Sequence, residues 1–195
     1  MRLLLVRHGE TDWNATGRIQ GCTDTPLNAR GRAQAAALAE KLRSSEERAE
    51  ALYTSPLRRA AETAEIIGSA LGLRPEPVEA LREISFGVWE GCSWAEIQRR
   101  WPEDFAYCEA DRLNRAPPGG ESYARLMARA CPAVERLRRA PGGTAIAVCH
   151  SAVIRAVLCA LRGISIGDGY ATLRIKNSSV TELADLSAAS GVEGR

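Results

Sequence analysis

The stretch from residue 3 to residue 14 constrains the fold of this chain more than any other. It begins with four apolar residues, LLLV, which have the length and composition of a buried strand. Arg7, His8 and Gly9 follow at once. Because ligands of open α/β sheets bind outside the carboxyl ends of the strands, these residues predict an anion site at the sheet edge. The alternative interpretation is that Arg7 and His8 merely end a strand at the surface.

A second strand is predicted at 51–54, followed by Ser55-Pro56 and a helix over 57–71. Serine is a favourable N-cap, and proline fits the first helical position. Arg58 and Arg59 then lie in the first turn, where cations are unfavourable against the helix dipole unless an anion is near. We therefore expect a bound anion beside one of the two arginines, the other being a solvated residue on the helix face.

A third segment, TAIAVC at 144–149, is the clearest buried strand in the sequence. His150 follows it directly, and an apolar helix is predicted over 152–161. The chain contains only two histidines, and each of them follows a predicted strand. If these strands are parallel neighbours, His8, Arg59 and His150 gather at one edge of the sheet.

Such a cluster of cations and imidazoles suits phosphoryl transfer, which requires positioning and charge neutralisation. A neutral imidazole is a competent nucleophile toward phosphorus, and a carboxyl group is then needed to protonate the leaving oxygen. The segment LREISFGVWEG contains two acids, Glu83 and Glu90. Glu83 is the predicted proton donor, because it precedes a glycine-containing bend in a segment expected to fold over the site.

The remaining pattern alternates strands and helices, which predicts an α/β protein. We expect a three-layer α/β/α sandwich with a mostly parallel central sheet, formed as a single domain over 1–195, with 81–120 as a small cap over the site. The further elements predicted are a helix at 29–43 capped by Asn28, a third strand at 75–80, helices at 93–100, 104–112 and 123–139, and an antiparallel pair of strands at 172–175 and 179–183. The polar tail at 187–195 is expected to be frayed.

Length and composition limit the class of protein. The 195 residues suit one α/β domain with an inserted cap, and 45% of them are hydrophobic. A net charge of +2 provides no electrostatic argument for nucleic-acid binding. The N-terminus has neither the pattern of a signal peptide nor an apolar stretch long enough for a membrane span. The six cysteines are scattered without zinc-ligand spacing, which predicts reduced thiols in a cytoplasmic protein.

These motifs resemble those of the histidine phosphatase superfamily, in the branch that contains cofactor-dependent phosphoglycerate mutases and related phosphatases. The resemblance extends over residues 2–182. It is carried by RHGET at 7–11 with WN at 13–14, RIQG at 18–21, TSPLRRAAETA at 54–64, LREISFGVWEG at 81–91, CHSAVIRA at 149–156 and NSSVTEL at 177–183.

The resemblance implies that His8 attacks phosphorus and becomes a phosphohistidine, while Glu83 protonates the leaving alcohol and then deprotonates water. It selects Arg59 over Arg58, because the family's phosphate-binding arginine precedes the alanine. The phosphate-binding residues that it implies are Arg7, Asn14, Gln20, Gly21, Arg59, His150 and Ser151. It implies neither a metal nor a cofactor, since the guanidinium groups supply the positive charge. The family often has two glycines where this chain has Ser151 and Ala152, and side chains there narrow the approach of backbone to phosphate.

Hydrolysis of small-molecule phosphomonoesters is the predicted reaction. A mutase must hold a bisphosphate intermediate without admitting water, and the mutases that this chain resembles are longer in the cap region. The motif PGGES at 118–122 resembles the phosphatases, α-ribazole phosphatases included, so α-ribazole-5'-phosphate is one candidate substrate. A phosphoglycerate mutase and a non-catalytic phospholigand-binding module remain alternatives. The expected partner is a small phosphorylated molecule rather than nucleic acid or a membrane, and a homodimer is left open.

Two other chemistries fit the sequence less well. Cys149 and Arg155 have the Cys-x5-Arg spacing of a cysteine phosphatase loop. That loop surrounds a thiolate with backbone N–H groups, usually with the help of glycine, and no glycine lies between these two residues. Cys149 is therefore interpreted as the last residue of a buried strand. Two distant histidines and unclustered carboxylates disfavour a metal-dependent hydrolase.

Overall fold

A computed structural model describes residues 2–46 and 48–183 of the chain. Its strands are β1 (Arg2–Arg7), β2 (Ala49–Thr54), β3 (Glu76–Pro77), β4 (Thr144–Cys149) and β5 (Val180–Leu183). Its helices are α1 (Asp12–Ala15), α2 (Ala29–Arg43), α3 (Arg58–Leu71), α4 (Trp94–Arg100), α5 (Pro102–Ala110), α6 (Tyr123–Arg139), α7 (Ser151–Arg162) and α8 (Ile166–Thr172), with 3₁₀ turns at Glu79–Leu81 and Gly87–Trp89. None of the helices within these ranges is long and apolar enough to cross a membrane. The predicted tail at 187–195 lies outside the described residues.

The five strands form one sheet in the order β3-β2-β4-β1-β5. All neighbouring pairs are parallel except that of β1 with β5. Alternate residues of β1 point to opposite faces: Leu3 and Leu5 pack in the core beneath α6 and α7, whereas Leu4 and Val6 pack beneath α2 and α3. The predicted three-layer α/β/α sandwich with a mostly parallel sheet is confirmed.

The segment between β3 and α6 carries a small core of its own. This core contains Ile19, Trp89, Cys92, Ile97 and Cys108, with Phe86, Trp101 and Phe105 packed against it. Ser93 caps α4 and forms a reciprocal pair of hydrogen bonds with Glu96, as its position before the helix predicts. Most of the aromatic side chains in this segment therefore hold it together rather than line a binding wall.

The predicted antiparallel pair of 172–175 with 179–183 is wrong. The chain forms α8 where the first of these strands was expected to begin, and β5 pairs with β1 instead. The turn before β5 places Ser178 at φ 54°, and its N–H group donates to the carbonyl oxygen of Arg7 at 3.0 Å. Pairing with β5 covers the outer side of β1, which would otherwise present an open strand edge beside the site.

Two other predicted elements have different limits. The strand expected at 75–80 is reduced to two residues that pair with β2, because the chain turns into a 3₁₀ helix at Glu79. The helix expected at 104–112 spans Pro102–Ala110 instead. Pro102 therefore starts this helix rather than only ending the previous one, as suits a residue without an N–H group.

The start of α3 also differs from the prediction. Its N-cap is Leu57 and not Ser55, and the anion at its N-terminus is the side chain of Asp24. The carboxylate of Asp24 accepts a hydrogen bond of 2.6 Å from the Arg58 N–H group. The Asp24 side chain therefore supplies a negative charge at this helix end, and a bound anion beside Arg59 stays a prediction.

The loop after β1 packs against α2 without intervening side chains. A Cβ atom on Gly9 would lie 2.5 Å from the carbonyl oxygen of Gly31, and one on Gly31 would lie 2.0 Å from the carbonyl oxygen of Glu10. The Gly9 N–H group also donates to the Thr63 hydroxyl of α3 at 3.0 Å. This close approach of two backbones fixes the loop that carries His8.

We expect Gly31→Ala to destabilise the fold by about 1–3 kcal/mol, because its methyl group has no room beside Glu10. The matched control is Gly167→Ala in α8, where the nearest atom to an added Cβ is the Ser165 hydroxyl at 3.7 Å. That substitution should be neutral or stabilising by up to about 1 kcal/mol, since alanine favours helix. Urea unfolding of both variants measures the two effects, and equal stabilities would contradict this account of the loop.

Candidate active site

The parallel register of the sheet brings the two histidines together. Arg7 of β1 lies opposite Cys149 of β4, so the next residue of each strand, His8 and His150, leaves the sheet at the same edge. The centroids of the two imidazole rings are 5.2 Å apart. Ser55, which follows β2, joins them through a 2.8 Å hydrogen bond between its Oγ and His150 Nε2.

The His8 ring is buried, and its hydrogen bond defines its tautomer. Its Nδ1 lies 2.7 Å from the carbonyl oxygen of Gly9. Since a carbonyl oxygen only accepts, Nδ1 carries the proton and Nε2 keeps its lone pair. Burial lowers the pKa of His8 well below its usual range, and the charges of Arg59 and Arg7 lower it further. His8 is therefore a neutral imidazole near pH 7.

His150 is equally buried and differs in its partners. Burial lowers the pKa of His150 well below its usual range, with further contributions from Arg59 and His8. The Ser55 hydroxyl that contacts Nε2 already accepts the Leu57 N–H group at 3.3 Å, so its own proton is available to Nε2. That arrangement favours the tautomer with the ring proton on Nδ1, and this nitrogen has no hydrogen-bond partner among the described residues.

Two buried guanidinium groups surround the imidazoles. Arg59 donates to the carbonyl oxygens of Gly21 at 2.7 Å and Thr23 at 2.8 Å, and Arg7 donates to that of Ile175 at 2.6 Å. Within the described part of the chain, the Nε–H group of each arginine is buried without a partner. Burial lowers the pKa of both side chains, and the Glu83 carboxylate partly offsets that effect, so both stay charged.

Glu83 lies against the N-terminus of α7. Its carboxylate accepts the N–H groups of Ala152 at 3.2 Å and Ile84 at 3.1 Å, and the Ser151 hydroxyl lies 3.4 Å away. The Ala152 N–H group thus contacts Glu83, while Ser151 lines the cavity beside it. A carboxylate at a helix N-terminus is favourably placed against the helix dipole.

The other predicted residues, Asn14, Gln20 and Gly21, line the same cavity of about 230 Å³ as His8 and Glu83. Thr11 links two of them, since its hydroxyl bonds the side-chain oxygens of Gln20 at 2.9 Å and Asn14 at 3.2 Å. All nine residues predicted for the site lie at this one edge of the sheet.

Glu90, the acid not chosen as proton donor, has a different position. Its carboxylate accepts the backbone N–H groups of Cys22 at 2.9 Å, Thr23 at 2.8 Å and Phe86 at 3.0 Å. A Cβ atom on Gly21 would lie 2.1 Å from a Glu90 oxygen. Glu90 therefore attaches the 20–23 loop to the cap segment.

The sequence did not point to the far wall of the cavity. Arg155 and Tyr170 line it, with the Arg155 Cζ atom 4.2 Å from the centre of the Tyr170 ring. The Cζ atom of Arg112 lies 4.1 Å from the centre of the same ring. Position 155 lies one helical turn after Ser151, a spacing that could have identified it. No sequence signal marks Tyr170.

Asn177 begins the NSSVTEL motif, but the sequence analysis gave it no role at the site. Its amide donates to the carbonyl oxygens of His8 at 3.0 Å and Gly9 at 3.2 Å, and to the side chain of Asn14 at 3.1 Å. It therefore ties the turn before β5 to the loop that carries His8.

Comparison with known proteins places this arrangement in a family. The sequence profile of the histidine phosphatase superfamily (branch 1) matches residues 3–186. The chain belongs to the histidine phosphatase superfamily. The family inferred from the motifs is thus confirmed.

Several relatives of this histidine phosphatase are phosphatases by name. It is 36% identical over 167 residues to phosphoserine phosphatase 1 of Hydrogenobacter thermophilus, covering 85% of this chain and 78% of that protein. It is 42% identical over 156 residues to 6-phosphofructo-2-kinase/fructose-2,6-bisphosphatase of Gallus gallus, covering 80% of this chain but only 32% of that protein's length.

Solved structures give the same result. A mycobacterial glucosyl-3-phosphoglycerate phosphatase in complex with VO3 superposes with a TM-score of 0.82 at 34% identity, covering 94% of this chain and 90% of that one. The α-ribazole phosphatase of Shigella flexneri superposes with a TM-score of 0.82 at 27% identity, covering 93% and 89% of the two chains.

The geometry disfavours cysteine-based phosphatase chemistry in this histidine phosphatase. Cys149 is fully buried at the end of β4, and burial raises the pKa of its thiol, so the thiolate that a cysteine phosphatase needs is disfavoured. All six cysteines lie within the described ranges as unpaired thiols. In those same ranges, no group of three or more His, Cys, Asp or Glu side chains is arranged to hold a metal ion.

We expect both imidazoles to be neutral at pH 6.5 with the proton on Nδ1. Because burial and two guanidinium groups lower both pKa values, protonation should occur only well below pH 6.5, the ordinary value for histidine. Long-range ¹⁵N–¹H NMR spectra test this, since the chain has two histidines and His8→Gln and His150→Gln assign them. An imidazolium signal from either ring at pH 6.5 would contradict this account of the site.

Proposed function

We propose that this protein hydrolyses small-molecule phosphomonoesters through a phosphohistidine at His8. The observation that carries the proposal is the His8 tautomer, in which the Gly9 carbonyl holds the proton on Nδ1 and leaves Nε2 as a nucleophile. The guanidinium groups of Arg7 and Arg59 support the same proposal, because they line the cavity with His8 and supply the positive charge that a phosphoryl group requires.

In the first step, His8 Nε2 attacks phosphorus and the bond to the leaving oxygen breaks. Glu83 takes part in this step as the carboxylic acid: it gives its proton to that oxygen and becomes the carboxylate that the second step uses. The charges of Arg7 and Arg59 and the His150 Nδ1–H group stabilise the equatorial oxygens. Asn14, Gln20, Gly21 and Ser151 complete the proposed binding pocket.

In the second step, the Glu83 carboxylate takes a proton from water and the resulting nucleophile attacks the phosphohistidine. The N–P bond breaks, phosphate leaves, and Glu83 is again protonated for the next turnover. His8 returns to its neutral form, in which Nδ1 keeps its proton and still donates it in a hydrogen bond to the Gly9 carbonyl oxygen. No redox partner or further cofactor is needed to balance either step.

We also propose metal-independent catalysis in the cytoplasm. The guanidinium groups of Arg7 and Arg59 supply the positive charge that a metal ion supplies elsewhere. Unpaired thiols at all six cysteines are consistent with a reducing compartment. A homodimer remains a prediction.

The far wall of the cavity supports a substrate with a second anionic group. Burial disfavours the charged form of Arg155, but Tyr123 and Tyr170 raise its pKa above the ordinary value. Its Nε–H group has no partner in the described ranges, and its Nη contacts are long, at 3.4 and 3.5 Å. A partly buried cation with so few partners favours an anion. The fructose-2,6-bisphosphatase and phosphoserine phosphatase relatives have names that fit such substrates.

α-Ribazole-5'-phosphate remains the second candidate substrate, because Phe86 and Trp94 also line the cavity and would contact an aromatic base. The mutase alternative predicts that the phosphoryl group of a bisphosphate passes to a second phosphoglycerate rather than to water. The phospholigand-binding alternative predicts no phosphoenzyme at all.

We expect Arg155→Met to lower kcat/KM for O-phosphoserine and fructose 2,6-bisphosphate by about 10- to 100-fold, the effect of one lost charge-assisted hydrogen bond. The value for p-nitrophenyl phosphate should stay nearly constant. Arg112→Met is the matched control, since Arg112 stacks on the same Tyr170 ring but pairs with Glu109. If α-ribazole-5'-phosphate is the best substrate of the wild-type protein and Arg155→Met leaves its kcat/KM unchanged, the proposal of a substrate with a second anionic group is wrong.

We expect [³²P]-labelled phosphomonoester to label the wild-type protein in excess chelator, with a label stable to alkali and labile to acid, as for phosphohistidine. His8→Ala should abolish the label. Glu83→Gln should accumulate it when p-nitrophenyl phosphate is the donor, because this leaving group needs no protonation whereas hydrolysis still needs the base. An unlabelled wild-type protein that binds phosphate would favour the binding-module alternative.

A further inference from the structure

Arg129 lies on α6 and directs its whole guanidinium group to the segment that carries Glu83. Three of its five N–H groups donate to the backbone carbonyl oxygens of Ala80 at 2.9 Å, Arg82 at 2.8 Å and Glu83 at 3.0 Å. The other two donate to the two carboxylate oxygens of Glu121, each at 2.8 Å. Arginine is the one side chain with five donors in a fixed plane, so these contacts use its complete capacity.

The three carbonyl groups need an external donor because their segment is irregular. They lie at the end of the 3₁₀ turn Glu79–Leu81 and just after it, where no helix or strand supplies the next N–H groups. Carbonyl oxygens that converge on one point repel each other unless a cation lies between them. The conformation of the chain at Glu83 therefore depends on the Arg129 guanidinium group.

Glu121 compensates the charge of Arg129. The side chain of Arg129 is 28% exposed and that of Glu121 is 16% exposed. An unpaired guanidinium group at this position would therefore lower the stability of the fold. The paired contacts with both carboxylate oxygens also fix the plane of the guanidinium group. Glu121 belongs to the PGGES motif, to which the proposed reaction assigns no task.

The same motif contacts the acid-bearing segment through its backbone. The Glu121 N–H group donates to the Ser85 carbonyl oxygen at 2.8 Å, and the Val88 N–H group donates to the Pro118 carbonyl oxygen at 3.1 Å. A Cβ atom on Gly120 would lie 2.7 Å from the Ser85 carbonyl oxygen, so glycine is required for this approach. The motif is thus joined to the segment on both sides of the bend after Glu83.

We propose that Arg129 and Glu121 are positioning residues for the proton donor. They hold the Glu83 backbone, while the Ala152 N–H group holds its carboxylate, and together these contacts keep the acid within reach of the leaving oxygen. This inference rests on the proposed function, because it requires Glu83 to protonate the leaving group. It also assigns a role to the PGGES motif, which is to hold Glu83 in position.

The test compares two substrates of nearly the same shape. Phenyl phosphate has a poor leaving group that requires protonation, whereas p-nitrophenyl phosphate has a good one. For each variant, single-turnover formation of the phosphoenzyme is measured with both substrates, and the ratio of the two rates is the readout. Glu121→Gln and Arg129→Lys should each lower the phenyl phosphate rate by about 10-fold more than the p-nitrophenyl phosphate rate, as Glu83→Gln should do more strongly.

The matched control is Glu135→Gln, which removes a carboxylate from an ion pair with Arg138 farther along the same helix. The side chains of Arg138 and Glu135 are 14% and 33% exposed, similar to the Arg129 pair, and the rate ratio should stay at the wild-type value. Urea unfolding of each variant confirms that it is folded. Because Arg129→Lys keeps the charge and Glu121→Gln keeps the shape, either one that folds tests the inference.

The outcomes separate the inference from the proposed function. If Glu83→Gln leaves the rate ratio unchanged, Glu83 is not the proton donor and the proposed mechanism is wrong. If Glu83→Gln changes the ratio while Glu121→Gln and Arg129→Lys slow both substrates equally, or slow neither, the positioning role is overturned. A selective loss of rate with phenyl phosphate in Glu121→Gln and Arg129→Lys supports it, because a general weakening of the fold would not distinguish the leaving groups.

Discussion

Two guanidinium groups and two imidazoles occupy one buried space beside a single carboxylate, and the charge of that space governs the rest of the site. Arg7 and Arg59 cannot lose their protons, so His8 and His150 must stay neutral. Neutrality leaves His8 with a free lone pair, and the excess of positive charge favours a phosphoryl dianion. The same uncompensated positive charge therefore makes these cations unfavourable to bury and makes an anion favourable beside them.

A second constraint concerns the acid, which lies outside regular secondary structure. The helix α7 holds the carboxylate of Glu83 through the Ala152 N–H group, and Arg129 holds its backbone carbonyl. Glu90 attaches the neighbouring 20–23 loop to the same cap segment. His8 thus follows a strand of the parallel sheet, whereas Glu83 lies on an irregular segment that side chains from other elements hold in place.

Patterns local in the chain predicted the parts of the fold that depend on local physics. Apolar runs identified β1 and β4, and capping residues such as Asn28 and Ser93 marked helix starts. The errors arose where a distant residue competes with the local signal. Ser55 resembles an N-cap but contacts His150, and Leu57 takes the N-cap position instead. The segment at 172–175 resembles a strand, yet β5 pairs with β1 because that edge is open.

The residues that follow predicted strands made His8, His150 and the pair Arg58–Arg59 candidates, and a glycine-containing bend made Glu83 one, because phosphoryl transfer requires a nucleophile, cations and an acid. The family resemblance then selected Arg59 over Arg58. The sequence could not reveal which side chains complete them. The stacking of Arg155 on Tyr170 and the contacts of Arg129 with Glu121 join residues from separate elements, and their meaning lies in distances of 2.8–4.2 Å. Hydrophobic and capping patterns repeat within a few residues, so they can be recognised in the sequence alone. The partners of a buried charge come from distant parts of the chain, so they are decided only by the packing of the sheet and the cap segment.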